Sequence, residues 1–546
     1  MHRINRDNNM KKQKQKQNIP YKQRQISKPY TINKGFSEAG ASRDKKVFKR
    51  FKSKSGSANE DILYNLQDLR ERARSLTMHG GLALSALKTN RTNTIGCGLI
   101  YKSKIDKDIL GLSDEDALEW QKNAEREFAL WAENKRHCDS MGLMDFYKIQ
   151  QLVFYSSLMS GDCCTLIQRR KEPVNKMLPY TLRLCVIEAD RVATPNDYGN
   201  GLIRITDGKN QTTGNKIYDG VEVNSDNEIV AYHICNKHKG EINSEQYKWE
   251  RVEAYGKETG LPNVLITMSD VERPSQFRGL PMLAPVIEML LQIERYTEAE
   301  LMAALVESLF TAFVETQSNT EENPFTAVTT DGDPNEIEGD EKELDESEYA
   351  LGSGNIVHLA EGEKISFGDP KRPSGGFTAF VEMAANLIGS ALEVPKELLL
   401  KEFKSSYSAS RAALLEFWKS VKMRREWFVS DFCRPILEIW MYEAVARGRL
   451  NAPGFFDDPI IRQAWLGADF TGPAQGMLDP TKEITAEQMM CENGFSSRSD
   501  SAIRLNGSEY YRNIDSLKSE NEALTEATPI SDSIKNEYVK QSVTSD

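Results

Sequence analysis

Residues 271–315 read VERPSQFRGLPMLAPVIEMLLQIERYTEAELMAALVESLFTAFVE. The stretch opens on a turn-forming run, Arg273-Pro274-Ser275-Gln276-Phe277-Arg278-Gly279-Leu280-Pro281, and after Pro285 it continues for more than thirty residues without Gly or Pro. Pro281 suits the first turn of a helix, where its missing N–H is not needed. Leu283, Val286, Ile287, Leu290, Leu291, Ile293, Leu301, Ala304, Leu305 and Leu309 then recur at helical spacing. Thirty residues rising about 1.5 Å each predict a rod of roughly 45 Å, which is long for a globular helix. Glu294 and Glu298 stand one turn apart on it, with Glu288 and Glu300 nearby. Such a face is either an ordinary solvated one or a wall kept free of positive charge.

A chain of 546 residues has room for two to four domains with sizeable cores. Hydrophobic residues make up 39% and charged residues 28%, the balance of globular protein. There is no run of eighteen apolar residues, so no membrane span is expected, and the polar N-terminus has no apolar h-region. The eight cysteines form no CxxC pair. Eight in so long a chain predict free, mostly buried thiols in a reducing compartment rather than a disulfide scaffold. Net charge is −11, yet residues 1–58 carry 17 Lys/Arg against three acids. The chain is an acidic body with a basic arm, and the arm's composition predicts disorder. It suits either transient contact with nucleic acid or an acidic surface, or a solubilising role.

Beyond the arm, helices are expected over Asp61 to Leu87, Ser113 to Asn134 and Met144 to Met159, the first carrying Arg70, Arg72 and Arg74. A strand is expected at Thr94–Gly98. The pattern then alternates with period two at Cys164 to Gln168, Thr181 to Ile187, Glu222 to Val223 and Ile229 to Ile234, which reads as strands. Helices followed by strands point to an α+β fold, predominantly helical over the whole chain. Asp331 to Glu348 holds ten acids and one base, an acidic loop, and Ser353 to Phe367 reads as two short strands around Gly362. Phe377 to Val394 is amphipathic and stops before Pro395. After Ser405–Arg411, where Ser408 or a neighbour is a natural N-cap, Leu414, Trp418, Val421, Phe428, Phe432, Ile436 and Ile439 form one stripe that Pro435 should kink. Helices are expected again at Glu483–Glu492 and near Ile514–Glu526, before a polar tail.

Three places invite a catalytic or metal reading and do not sustain it. His233, Cys235 and His238 are ligand types, but no fourth ligand lies in reach, so a structural role is favoured over zinc. Gly208 to Lys216 lacks the Gly-Lys-Ser/Thr ending of a phosphate loop. Asp331, Asp333 and Asn335 hint at a calcium loop, but Glu336 stands where that loop needs Gly. No Walker A, GxSxG or HExxH motif occurs. No catalytic residue, metal ligand or cofactor is therefore assigned, and the chain is not expected to be an enzyme.

The cassette RPSQFRGLPMLAPVIEML with the following ERYTEAELMAA resembles the portal proteins of lambda-type tailed bacteriophages, whose hallmark is Arg-Pro-x-Gln-x-Arg-Gly-x-Pro before a long helix. Arg273, Pro274, Gln276, Arg278, Gly279 and Pro281 are the matching positions. Further matches follow in order: the Arg-rich helix, Ser160-Gly161-Asp162, Ile187-Glu188-Ala189-Asp190-Arg191, the hairpin Asn224–His233, Ser405–Arg411, and Trp465-Leu466-Gly467 to Asp479-Pro480-Thr481-Lys482. Together they span roughly residues 58 to 525.

The resemblance implies a portal-type subunit with wing, stem, clip and crown regions. On that reading residues 1–58 are the arm, 59–270 a wing-like α/β domain, 271–316 a stem-type helix and 317–372 a clip-like region. Residues 373–450 are returning helices with a channel loop near 400–411, 451–527 a C-terminal wing or crown region, and 528–546 a disordered tail. The implied function is a ring of twelve subunits at one head vertex, through which double-stranded DNA is packaged and ejected. The implied partners are further copies of the chain, double-stranded DNA passing non-specifically, the terminase large subunit, the major capsid or scaffold protein and a head–tail connector protein, with no membrane. The implied location is the virion, and the host bacterial cytoplasm during assembly. Lys401, Lys404, Ser405, Ser406, Tyr407 and Arg411 are the channel-loop candidates, because hydroxyls and isolated cations contact phosphates without reading sequence. Glu294 and Glu298 are the channel-wall candidates. Duplex DNA carries one charge per roughly 1.7 Å, so a basic wall would hold it and an acidic one lets it slide. The competing readings are another head protein, a scaffold or minor capsid protein, and a packaging ATPase or nuclease. The mixed α/β middle argues against the first, and the missing phosphate loop against an ATPase.

Overall fold

The computed structural model describes residues 45–49, 51, 55–171, 177–195, 208–210, 213–238, 240–241, 247–308, 312–316, 363–367, 376–404, 406–476, 479–508 and 510–527. The chain divides into two units, residues 1–56 and 57–546. The described part of the first holds one helical turn, α1 (Lys46–Lys49). Residues 1–44, 50 and 52–54 of the expected arm, the acidic run 331–348 and the tail from 528 lie outside the described residues.

The second unit is α+β and mainly helical, as expected. It starts on a capping box: Ser57 accepts from the Glu60 N–H, and the Glu60 carboxylate accepts from the Ser57 N–H. The helix so started, α2 (Ala58–His79), does not run on to Leu87. Gly80 is extended, and a separate helix, α3 (Gly81–Thr94), begins after it. Two consecutive glycines weaken the helix at this point, and the missing Cβ of Gly80 leaves the space into which the Glu294 carboxylate fits. The strand expected at Thr94–Gly98 is a turn instead, with Gly96 and Gly98 at positive φ. The strand itself, β1 (Ile100–Ser103), pairs antiparallel with β12 (Ala468–Thr471), far along the chain. Between them come α4 (Lys107–Leu110), α5 (Asp114–Ala132), capped by Ser113, α6 (Lys135–Cys138) and α7 (Phe146–Ser160), capped by Asp145.

Two antiparallel sheets follow. One has the order β3 (Leu182–Ile187), β2 (Asp162–Arg169), β9 (Val264–Met268). The other runs β4 (Gly208–Lys209), β5 (Lys216–Tyr218), β6 (Val221–Val223), β7 (Ile229–Cys235), β8 (Trp249–Glu253). The β2–β9 register sets Asp162 opposite Met268. This pairing returns the chain to the end of α7 just before the Arg273–Pro281 turn.

The long helix is shorter than its sequence suggests. Pro281 and Leu283 close tight turns, a 3-10 turn covers Ala284–Val286 with Pro285 in it, and α8 proper is Ile287–Ser308, 22 residues. That is roughly 33 Å. Ala312–Thr316, expected to extend the helix, is a strand, β10, antiparallel to β11 (Glu363–Phe367). Phe313 and Val314 suit either state by period. The β11 partner, distant in sequence, decides it. Of the two strands expected around Gly362, β11 is one, and residues 353–362 lie outside the described residues.

Then come α9 (Phe377–Ala391), α10 (Lys396–Leu400) and α11 (Tyr407–Phe428), whose N-cap is Ser406. A π turn over Val429–Cys433 joins α11 to α12 (Arg434–Ala446). The wider turn accommodates the Pro435 ring, and it is where the expected kink sits. The chain closes with α13 (Pro459–Trp465), α14 (Pro480–Glu492), α15 (Arg498–Asn506) and α16 (Tyr510–Ala527). The α11–α12 stripe is buried within the chain: Trp440 packs edge-on to Phe128 at 5.0 Å and Phe432 stacks on Phe146 at 6.0 Å. A second core under the five-stranded sheet contains Val221, Tyr232, Ile234 and Phe277. All eight cysteines are free thiols, with Cys97 exposed and five buried. No helix among the described residues is long and apolar enough to cross a membrane.

Candidate functional site

Four motifs that lie far apart in sequence meet at one buried point. Gly161, between α7 and β2, and Gly279, in the signature turn, approach so closely that a Cβ on either would overlap the other's carbonyl. Gly161 is moreover at φ +91, a region open to glycine. This contact places Arg278 against Asp162, with Nε to Oδ2 at 2.7 Å and Nη2 to Oδ1 at 3.0 Å. The same guanidinium donates to the carbonyls of Ala189 (2.8 Å), Val192 (2.7 Å) and Asp219 (2.6 Å), and to the Asp219 carboxylate (2.7 Å). Arg70 of α2 donates to Asp162 at 3.0 Å and to the Ser160 carbonyl at 2.8 Å. One turn on, Arg74 pairs with Asp190, which also faces His238 at 3.6 Å.

Arg278 is wholly buried, and Asp162 is 1% exposed. Burial alone would raise the Asp162 carboxyl; the Arg278 and Arg70 guanidiniums outweigh it and hold the group below the usual range. Burial likewise opposes the charge on Arg278, and Asp162 and Asp219 reverse that, so its pKa rises. Asp190, pushed up by burial, is pulled down further by His238, Arg70 and Arg74. Three guanidiniums and three carboxylates balance, as a buried cluster requires. Every charge has a partner, which suits a fixed joint rather than a reactive centre.

The rest of the turn is built to present Arg278. The Gln276 side chain accepts from the Glu272 and Arg273 N–H groups at 3.1 and 3.3 Å and donates to the Arg278 carbonyl at 3.0 Å. Asn59 of α2 donates to the Ser275 carbonyl at 2.9 Å and accepts from the Phe277 N–H at 3.3 Å. Arg273 pairs with Asp61 at 2.6 Å on the surface. The joint thus links α2, the α7–β2 corner, the turn at Ala189–Arg191, the β5–β6 turn and the start of α8. Sequence reading singled out Arg278, Arg70, Asp162 and Asp190 as separate motif members. It missed Asn59 and Asp219, whose only local signals are an N-terminal helix position and an Asp-Gly turn.

The channel candidates are dispersed. Glu298 is exposed, Glu294 is half-buried against Gly80, and Glu300 is 5% exposed, so the expected acidic face of α8 is not continuous. In the 401–411 segment, Lys401 has φ +58 and donates to Thr89 Oγ1 at 2.7 Å. Lys404 pairs with Glu402 at 2.5 Å, and Arg411 approaches Glu483 at 3.8 Å. Ser406 accepts from the Ala409 N–H at 3.4 Å, an N-cap bond. Ser405 and the Tyr407 side chain lie outside the described residues.

A model of the lambda family of phage portal proteins matches residues 44–425. The chain belongs to the lambda family of phage portal proteins. Portal protein B of Escherichia phage lambda is 21% identical over 454 residues, covering 81% of each chain. The probable portal protein of Halomonas phage phiHAP-1 is 26% identical over 456 residues, 82% of this chain and 79% of that one. Among solved structures, the neck of a native GTA particle, computed with C12 symmetry, covers 80% of this chain at 14% identity. It covers 94% of that chain at a TM-score of 0.40, too low a likeness to add to the assignment.

The portal family is one of structural proteins, and the matched region takes in the whole arginine–aspartate joint. The portal-type signature turn is therefore, in this chain, the element that anchors α8 to the two sheets. The two histidines noted in the sequence each face a carboxylate. His233 faces the buried Glu222 at 3.1 Å, and Glu222 also accepts from Arg251, Asn210, Thr213 and Asn215 at 2.8 to 3.2 Å. The loop that superficially resembled a phosphate cradle thus closes over a carboxylate of its own sheet. His238 turns the other way, to Asp190.

Proposed function

We propose that the chain assembles into a ring of twelve at one vertex of a phage head, and that double-stranded DNA passes through its centre during packaging and ejection. The observation that carries this is the family match across residues 44–425, with curated portal proteins aligned over four-fifths of the chain. The regional division expected from sequence follows: a wing-like body over 59–270, a stem from 271, a clip near 317–372, and C-terminal wing or crown helices over 451–527. The β10–β11 pair stands where stem passes to clip. The clip is the docking surface for the terminase large subunit and later for the head–tail connector protein, and the body meets the major capsid or scaffold protein. The protein resides in the virion and assembles in the host cytoplasm. It hydrolyses no nucleotide; that task belongs to the docked motor.

The joint supports this reading. A subunit through which a long charged polymer is driven needs its stem helix held at a fixed angle, and a charge-balanced buried cluster gives that rigidity. Glu298, exposed on α8, is the channel-wall residue on this reading, and Lys401 and Lys404 are exposed cations of the loop. The test is negative-stain electron microscopy of the full-length protein, paired with its solution mass. Rings with a central hole and a mass near twelve subunits are expected. Discrete closed particles without a channel would return the chain to the class of other head proteins, and ATPase activity of the pure protein would contradict its passive role.

A further inference from the structure

A groove of about 520 Å3 lies between α2, the signature turn and the end of α9. Its floor is apolar, with Ile62, Leu280, Met282 and Leu392 among the lining residues. Its rim carries four carboxylates, Asp61, Asp270, Glu272 and Glu393, and two guanidiniums, Arg273 and Arg424. Both guanidiniums are spent: Arg273 on Asp61 at 2.6 Å and Arg424 on Glu393 at 2.8 Å. Asp270 and Glu272, both exposed, leave the rim with net negative charge. An apolar floor under a negative rim fits a segment that is cationic and carries large apolar side chains.

The chain contains such a segment. Residues 45–54 read KKVFKRFKSK, six cations and no acid in ten residues, interleaved with Val47, Phe48 and Phe51. Val47, on the single turn α1, and Phe51, just beyond it, are 80% and 70% exposed. Apolar side chains that large, held among lysines and left in water, suit a contact made on assembly.

We infer that this groove receives the Lys45–Lys54 segment of a second copy of the chain, as a clasp between subunits. The inference rests on the ring reading for its partner, and on charge and apolar complementarity for its site. Val47 and Phe51 cover the apolar floor, and the lysines face Asp270 and Glu272. Being ionic at its rim, the contact weakens with salt.

The test uses two full-length variants. One reverses the arm (Lys46→Glu, Lys49→Glu, Arg50→Glu) and the other the rim (Asp270→Lys, Glu272→Lys), all at surface or arm positions. Each alone should lose ring formation by solution mass while keeping its circular dichroism. An equimolar mixture should recover it, because every arm then finds a rim of opposite charge. Rings of either variant at wild-type yield overturn the clasp. So does recovery only when both reversals are in one chain, which places the contact within a subunit. Should wild type itself form no ring, the ring reading fails, and a labelled peptide of residues 45–54 titrated onto the arm-reversed full-length chain still decides the site. Binding at least tenfold weaker once the rim is also reversed supports the groove, and equal binding refutes it.

Discussion

Replacing Arg278 by Met removes the centre of the buried joint. The guanidinium's five N–H groups make six contacts, Nη1 sharing one N–H between two acceptors; three go to the Ala189, Val192 and Asp219 carbonyls and three to carboxylates. Methionine fills most of the volume and satisfies none of them. Asp162 keeps Arg70 and the Gly279 N–H, at 3.0 Å each, but loses its bidentate partner. Breaking a buried pair on one side costs about 3–5 kcal/mol, and each orphaned carbonyl about 1–3 kcal/mol before relaxation. We expect about 5 kcal/mol from Arg278→Met. For Arg278→Lys about 3 kcal/mol is expected, because one ammonium cannot span the fork. The assay is urea unfolding followed by tryptophan fluorescence and far-UV circular dichroism. Arg273→Met, in the same turn but with its side chain 41% exposed against Asp61 at 49%, serves as control and should cost less than about 1 kcal/mol. If Arg278→Met and Arg273→Met fall within about 1 kcal/mol of each other, the joint is not what holds α8 to the sheets, and the reasoning is refuted.

Gly279→Ala should destabilise by about 3 kcal/mol or more, since its Cβ meets the Gly161 backbone rather than a movable side chain. Gly476→Ala, which faces open space, should stay within about 0.5 kcal/mol in the same urea unfolding. His238 gains a partner in Asp190, which raises its pKa above 6.5. Its contribution is therefore complete below pH 6.5 and lost as pH rises through the higher folded value, so His238→Gln should flatten the Tm profile above pH 6.5. Asp162 and Asp190 are lowered from 3.8; their contribution is present above that pH and lost as pH falls below it, an acid limb of which His238→Gln should weaken the Asp190 part and leave the Asp162 part in place. Glu298→Lys should leave the melt unchanged while slowing DNA entry in a packaging reaction, whereas Glu294→Lys should also lower Tm, because its carboxylate fills the space beside Gly80.

The sequence by itself determined which class of protein this is and much of its local structure. The Ser57, Ser113 and Asp145 caps, the apolar stripe from Leu414 to Ile439 and the strands around Cys164 and Ile229 are set by spacing and short-range chemistry, which any window of the chain displays. The signature turn was legible for the same reason. Tertiary structure alone decided where these pieces stop and what they touch. Ala312–Thr316 is a strand because Glu363–Phe367 pairs with it, and the space a side chain at position 80 would take is filled by a carboxylate more than two hundred residues away. Arg70, Asp162, Asp190 and Arg278 became one site only when the Gly161–Gly279 contact closed. Long-range contacts of this kind leave no periodicity, because a charge shows its sign in the sequence but not its partner.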